Sequence, residues 1–303
     1  MEKVQLKKIN EEDIKELKKI IEKSEAIIIG AGAGLSTSAG YIYTGERFAR
    51  YFFDFIKKYN FKDMYTAGFY HFPSHEEFWA FWSRYIYINR YAKIPLSLYD
   101  DLFKLVNNKN YFVLTTNVDH CFQRANFDKE RLFYTQGDYG LLQCKKPCSQ
   151  RTYDNKDIII QLLYDQGFKI REDGELIVED TNKIIMKVNS KHIPKCPNCG
   201  GEMTTNLRAD DKFVEDEGWH IAAHKYHNFL ENNKNKKCLF FELGVGFNTP
   251  GIIKYPFMKY CYTWPNSMYC CINYGEAFAP EELESKCIIF NADIKKIINK
   301  LLS

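Results

Sequence analysis

The sequence predicts an α/β protein, a Rossmann-like doubly wound parallel sheet with an inserted smaller domain made of a helical module and a zinc-binding module. Three observations predict it. First, short apolar runs without alternation recur: Ala26–Ile29, Tyr111–Leu114, Cys238–Leu243, Tyr269–Ile272 and Cys287–Phe290. Strands covered on both faces of a parallel sheet read this way. Second, helical stretches separate these runs, the order expected of a βαβ chain. Third, residues 141–209 interrupt the pattern with two close cysteine pairs and their own strand-like runs. The division expected is a sheet domain over 1–40, 91–140 and 210–303, a loop and helical module over 41–90, and a metal module over 141–209.

The elements follow in order. Asn10 caps a first helix, with Glu11, Glu12 and Asp13 in its first turn and Ile14, Leu17, Ile20 and Ile21 on one face. The Ala26–Ile29 strand ends at Gly30 and runs into a glycine-rich turn. From Tyr41 to about Arg90 the chain is aromatic, charged and helical in pattern. Within 141–209, strands are expected at Glu175–Val178 and Lys183–Val188. After the fifth strand, Ile294, Ile297, Ile298, Leu301 and Leu302 form a closing amphipathic helix.

Composition narrows the class. The chain has 303 residues, 45% hydrophobic and 27% charged, with a net charge of +3. That mix suits a globular protein, and the near balance of charge calls for no nucleic-acid or membrane partner. Aromatics make up 16%. A Phe/Tyr-heavy core is the plain reading of that supply, and an aromatic-walled cleft the sharper one. The N-terminus, MEKVQLKKINEEDIKEL, has no apolar core of a signal peptide, and no run nears the ~18 apolar residues of a membrane span. A cytoplasmic protein with reduced thiols is expected, so the ten cysteines are not presumed disulfides.

Three constellations carry chemistry. Gly30-Ala31-Gly32-Ala33-Gly34-Leu35-Ser36 follows a buried strand. Glycines allow a tight turn and a close approach to phosphate, whose oxygens backbone amides can bind. Leu35 stands where a dehydrogenase fingerprint needs its third glycine, and no Walker lysine follows. Thr115-Thr116-Asn117-Val118-Asp119 lies at the C-terminal end of the second strand, the edge that faces ligands in open α/β sheets. Asn117 and Asp119 could hold a carboxamide and a ribose, or merely cap the next helix. Cys144-x3-Cys148 and Cys196-x2-Cys199 supply four thiolates, a closed and therefore structural tetrahedral zinc site. His220, His224 and His227 share a helical face, but Ile221 replaces the glutamate of a zincin, so they read as a packed or surface stripe.

Taken in order, these pieces resemble the sirtuins, NAD-dependent acyl-lysine deacylases and ADP-ribosyltransferases. Gly32-Ala33-Gly34-Leu35-Ser36 is similar to the family's glycine-rich cofactor motif, and Thr116-Asn117-Val118-Asp119 to its nicotinamide and ribose motif. The cysteine pairs match its zinc knuckles. Asn206-Leu207-Arg208 and Phe213-Val214-Glu215 resemble the stretch leading to its substrate-pairing strand. Gly244-Val245-Gly246 resembles its second phosphate and ribose loop, Ile272-Asn273 its adenosine-ribose contact, and Asn291-Ala292-Asp293-Ile294 its adenine-side turn.

The departures are chemical. Tyr41–Phe48 replaces the deacylase Pro-Asp-Phe-Arg type loop, Val245-Gly246 replaces a Thr-Ser pair, and Gln136-Gly137 stands where the family has its catalytic His-Gly. Histidine serves as a general base near neutral pH; glutamine orients a group but takes no proton. His120, at another strand end, is a poor substitute. The Gln136 substitution and the Tyr-rich loop resemble the macrodomain-linked (class M) branch of microbial sirtuins.

The resemblance implies an NAD-dependent protein ADP-ribosyltransferase with NAD as co-substrate and one structural zinc on Cys144, Cys148, Cys196 and Cys199. Its implied acceptor is a lipoylated glycine-cleavage H-like carrier protein, within an oxidative-stress response, with a separately encoded macrodomain hydrolase as partner. Asn117 and Gln136 would be catalytic. Gly32, Ala33, Gly34, Ser36, Thr116, Asn117, Asp119, Gln136, Gly244, Gly246, Asn273 and Asp293 would bind NAD between the large and small parts. The rival readings are a lysine deacylase, an NAD hydrolase and a non-catalytic NAD-sensing module.

Overall fold

The computed structural model describes residues 10–93 and 97–303. The signal-peptide reading of the first nine residues lies outside this range. Helices along the chain are α1 (Glu11–Lys23), α2 (Ala33–Ser38), α3 (Gly45–Tyr59), α4 (Met64–Ala67), α5 (His75–Ile86), α6 (Ser97–Val106), α7 (Cys121–Arg124), α8 (Lys156–Asp165), α9 (Glu217–Asn233), α10 (Lys254–Thr263) and α11 (Ile294–Leu302). Strands are β1 (Ala26–Ala31), β2 (Tyr111–Thr115), β3 (Leu132–Tyr134), β4 (Gly137–Cys144), β5 (Tyr153–Asp154), β6 (Lys169–Ile170), β7 (Leu176–Ile177), β8 (Met203–Leu207), β9 (Cys238–Leu243), β10 (Ser267–Ile272) and β11 (Cys287–Phe290). No helix among the described residues is long and apolar enough to cross a membrane.

The chain divides into two compact units, Met1–Gly40 with Leu96–Gln136 and Glu217–Ser303, and Tyr41–Pro95 with Gly137–Asp216. In the first unit six parallel strands are ordered β11-β10-β9-β1-β2-β3. Every residue of β1, β2 and β9 is buried, which explains their unalternating sequences. Ile28, Phe112 and Phe240 face Leu230 of α9 and Phe257 of α10 in one apolar cluster. Ile27 and Ile29, on the opposite face, are equally inaccessible. Asn10 and Asp13 cap α1 reciprocally: the Asn10 side chain accepts from Asp13 N at 2.7 Å. From central β1 the chain goes out to β2 and β3, then returns to β9 on the other side. The order therefore reverses between β1 and β9, and both glycine turns leave the sheet there.

The second unit has a three-stranded antiparallel sheet ordered β5-β4-β8, a β6–β7 hairpin, and helices α3, α4, α5 and α8. Its largest buried charge is Arg84, whose guanidinium donates to Asp54 at 2.6 Å and Gln166 Oε1 at 2.7 Å. The chain expected to be helical over 41–90 is α3, α4, α5 and a π-helical turn at Tyr87–Tyr91.

One expected strand is absent. Lys183–Val188 forms no ladder; Ile184 and Val188 are buried, but the segment is held by single bonds from Ile185 N to Gln166 O and from Val188 N to Glu76 O. Alternating burial makes extended chain look like a strand even where no partner strand lies alongside. The Glu175–Val178 run shrinks to the two residues of β7.

Candidate functional site

The glycine turn and the Asn117 motif meet at the sheet's C-terminal edge. Ala31 and Thr115 end adjacent strands in register. Thr115 Oγ1 donates to Ala31 O at 2.9 Å and accepts from Asn117 N at 3.0 Å. Asn117 Nδ2 donates to Gly32 O at 3.0 Å and to Ser36 Oγ at 3.1 Å. Ser36 Oγ donates to Asp119 Oδ2 at 2.5 Å and lies 2.9 Å from the Tyr99 hydroxyl. Asp119 Oδ1 accepts from Cys121 N at 3.0 Å. Ser36, Tyr99, Asn117 and Asp119 are all buried. Burial, and then the Asp119 charge, push the Tyr99 phenol well above its ordinary pKa.

This network refines the roles that sequence suggests. A serine hydroxyl has one proton and two lone pairs, and Ser36 uses all three inside the chain. In these contacts the side chain braces one motif against the other. Both amide protons of Asn117 are likewise engaged, leaving Oδ1 to accept from a ligand. Tyr99 was not legible as part of the site, because an aromatic on an amphipathic helix reads as core.

The glycines serve a loop-on-loop contact. A Cβ at Gly32 would stand 2.7 Å from Gly244 O, and one at Gly34 2.7 Å from Gly244 Cα. Gly34 N donates to Gly244 O at 2.9 Å, and Gly244 N to Ile272 O at 2.9 Å. Gly244 itself has φ +62°, a left-handed backbone that favours glycine. Asn273 Nδ2 donates to Val245 O at 3.0 Å, and Gly246 lies beneath the Glu276 carboxylate. Asp293 caps α11 by accepting from Lys296 N at 3.1 Å and accepts from Ser38 Oγ at 3.1 Å. Ala33 is exposed at the start of α2, and Thr116 is half-buried, its N–H donating to Ala31 O at 3.1 Å.

Gln136 stands on the same edge. Thr115 pairs with Tyr134, so Gln136 and Asn117 each lie two residues past that rung. Thr135 N and Oγ1 donate to Thr115 O at 3.0 and 3.3 Å, and Trp219 Nε1 donates to Thr135 O at 3.2 Å. The turn is thus fastened on both sides of Gln136's neighbour. Gln136 is half-buried and makes no side-chain hydrogen bond among the described residues. His120 occupies a left-handed position, φ +65°, after β2, not after β3.

In the second unit the four cysteines converge. Their sulfurs all lie within 4.8 Å of one another, with Cys144–Cys199 at 3.7 Å and Cys148–Cys196 at 3.6 Å. Four sulfurs at ~2.3 Å from a tetrahedral zinc stand ~3.8 Å apart, so the quartet fits that ion. Cys144 ends β4, and Lys145 N donates to Glu202 O at 2.9 Å, fixing one knuckle beside the other. Cys196 N donates to Gly201 O and Gly200 N to Cys196 O, both at 2.8 Å, which folds the second knuckle. The Cys199 backbone N–H holds the Cys196 thiol down at about 7. Cys199 accepts from the Gly201 amide, which lowers it, yet Cys148, Cys144 and Cys196 push it up to about 12. Crowded thiols resist ionising together, and a divalent cation removes that resistance. His220, His224 and His227 are exposed along α9 and join no metal-holding group among the described residues.

The fold has solved counterparts. A Sir2 bound to an acetylated peptide covers 95% of this chain and 97% of its own, at 18% identity and a TM-score of 0.56. A Sir2 with a p53 peptide and NAD+ has the same coverage, at 16% identity and a TM-score of 0.54. In sequence, a protein ADP-ribosyltransferase of Staphylococcus aureus is 35% identical over 287 residues, 94% of this chain and 86% of that protein. The chain belongs to the sirtuin family of protein ADP-ribosyltransferases. A Fusarium oxysporum f. sp. cubense protein, named a "Probable bifunctional ADP-ribose hydrolase/ADP-ribosyltransferase", is 27% identical over 243 residues, 78% of this chain and 38% of that one. No family model matches the chain. The first unit suits a dinucleotide: two glycine turns flank the strand-order reversal, where ligands of open α/β sheets bind, and Asn117, Gln136 and Asn273 bring polar ends to that edge.

Proposed function

We propose that this sirtuin-type, NAD-dependent ADP-ribosyltransferase transfers ADP-ribose to a protein nucleophile with Gln136 as an orienting group and without a general base at that position. The observation that carries the proposal is that Gln136, half-buried and non-titrating, stands two residues past the Thr115–Tyr134 rung on the strand end adjoining that of Asn117.

NAD supplies the ADP-ribosyl unit: its nicotinamide–ribose bond breaks, a bond from the sugar to the acceptor forms, and the acceptor's proton passes to water. The chain's own residues position and polarise. Asn117 Oδ1, fixed by two donated bonds, accepts from the nicotinamide or ribose end. The buried Asp119 carboxylate favours positive charge developing nearby. Gln136 orients the acceptor or a ribose hydroxyl, and being non-titrating it gives none of the ~10²–10⁴-fold that general-base catalysis supplies. Gly32, Ala33, Gly34, Gly244 and Gly246 hold the phosphates through backbone; Thr116, Asn273 and Asp293 serve the ribose and adenosine ends; Ser36 braces Asn117 and Asp119. In the proposed division into sheet domain, helical module and zinc module, all these residues fall in the sheet domain.

A lipoylated H-like carrier is the acceptor proposed from the branch resemblance, with a macrodomain hydrolase as partner. The fungal relative's printed name, which joins ADP-ribose hydrolase to ADP-ribosyltransferase, supports that pairing of activities. A cytoplasmic setting suits four reduced thiolates, and a lipoyl acceptor suits a redox-stress role.

The test is Asn117→Ala. Loss of one oriented polar contact to developing charge costs about 10²–10³ in kcat, so nicotinamide release from NAD with acceptor should fall by that factor while far-UV circular dichroism stays native. Wild-type release by the variant would place the chemistry elsewhere.

A further inference from the structure

The first unit holds a completely buried ion pair, and the roles above leave it unused. Glu242, the penultimate residue of β9, and Lys254, the first residue of α10, are both 0% exposed, with Nζ 2.5 Å from Oε1. Glu242 Oε2 accepts from the Tyr269 hydroxyl at 2.7 Å, and the Cys271 thiol lies 3.4 Å from Oε1. The surroundings are apolar: Phe240, Ile253, Phe257 and Tyr269 belong to one core cluster. Gly30 is the register partner of Glu242, and a Cβ there would stand 2.5 Å from the Phe257 ring. The sheet therefore leaves out a side chain exactly where α10 must come close enough to bring Lys254 inward.

A buried ion pair is a poor source of net stability, because desolvation offsets its attraction and apolar replacements are often neutral or better. Its best-attested use is to fix register. Here it joins the two ends of the segment 243–253, which contains Gly244-Val245-Gly246. Val245 and Gly246 bring no hydroxyl or amide side chain, so that turn can bind only through backbone. Backbone donors and acceptors bind well only if already held in place. The near half is held by Gly34 N, Ile272 O and Asn273 Nδ2. The far half has Lys254, whose Nζ lies 5.1 Å from the centre of the Phe247 ring. Phe247 in turn packs edge-on against Phe278, at 5.8 Å, in the segment after β10.

We infer that Glu242 and Lys254 are positioning residues for co-substrate binding: the pair fastens the second glycine turn and, through Phe247 and Phe278, the segment after β10, in the shape that receives the nucleotide. The inference rests on the proposed placement of NAD at the β1–β9 edge.

The experiment compares wild type, Lys254→Met, and the double variant Glu242→Gln with Lys254→Met, which removes both charges at nearly constant volume. Each is measured for NAD affinity by calorimetry, for KM and kcat of nicotinamide release, and for Tm. The single variant, left with an unpaired buried carboxylate, should lose Tm. The double variant should regain most of that Tm yet keep a KM and Kd for NAD raised about tenfold, with kcat falling less, the signature of lost binding rather than lost chemistry. Rescue of Tm together with wild-type NAD affinity would overturn the inference and leave the pair purely structural. If the double variant does not fold, Phe247→Ala, which removes the ring beneath the ammonium, should raise the Kd several-fold at unchanged Tm; an unchanged Kd overturns the inference. A wild type that binds no NAD refutes the proposed function itself, an outcome separate from either.

Discussion

Removing the Ser36 hydroxyl should disconnect the two motifs that build the sheet edge. Ser36→Ala deletes an oxygen that donates to Asp119 at 2.5 Å, accepts from Asn117 at 3.1 Å and contacts Tyr99 at 2.9 Å. A hydrogen bond to a charged group is worth ~1.5–3 kcal/mol and a neutral one ~1 kcal/mol. Tyr99 is fully buried, so its hydroxyl loses a partner where water cannot readily replace it. The expected total is about 3–4 kcal/mol, allowing for relaxation of Asn117. For a unit of this size, at about 2–4 °C per kcal/mol, that corresponds to a fall in Tm of about 6–16 °C. Differential scanning calorimetry gives the shift, and calorimetric titration with NAD gives a parallel loss of affinity, because Asn117 and Asp119 are no longer held. Ser36→Cys should recover only part of either, a thiol being a weak donor. A Ser36→Ala protein within 2 °C of wild type, binding NAD normally, would refute the bracing role.

Two further perturbations act on the second unit. Protein purified without added metal should contain about one zinc per chain, and Cys196→Ala or chelation should lower Tm sharply, since structural zinc contributes ~10–16 kcal/mol of apparent binding energy; a metal-free protein with unchanged Tm and activity would contradict this. At Glu77, burial alone would raise the carboxyl, but Lys58 Nζ at 2.8 Å and the Tyr59 hydroxyl outweigh it and hold it below its ordinary 4.5. A depressed folded pKa gives stability that is present above the unfolded value and lost as pH falls through the folded one. Glu77→Gln should therefore lower Tm at pH 7 and flatten the decline of Tm below about pH 4.5; a decline as steep as that of wild type would show that Glu77 does not contribute to it.

What the sequence discloses depends on how local the determining physics is. The sheet was legible because β1, β2 and β9 are buried on both faces, which leaves no polar alternation to confuse with a helix. The cysteine quartet was legible because each half is a short knuckle with ligand spacing. β3 escaped notice because it has three residues at the sheet's edge. Lys183–Val188 misled because extended chain against α5 and α8 alternates as a strand does. Tyr99 and the saturation of Ser36 were invisible because they depend on counting donors between segments far apart in sequence. Gly32 and Gly34 stand out as a phosphate motif, yet their nearest obligation is steric, the backbone of Gly244. Glu242 and Lys254 read as an ordinary strand charge and an ordinary helix lysine, and only the fold brings them together.

The central claim is that Gln136 leaves an enzyme that transfers ADP-ribose to protein and does not deacylate. One reaction tests it: native protein, NAD, a lysate containing lipoylated carrier protein, and an acetyl-lysine peptide, followed by mass spectrometry. ADP-ribose should appear as added mass on a protein, the peptide should keep its acetyl group, and Gln136→Ala should cut the protein label by ~10²-fold through lost orientation. Deacetylated peptide with O-acetyl-ADP-ribose, and no labelled protein, would contradict the account.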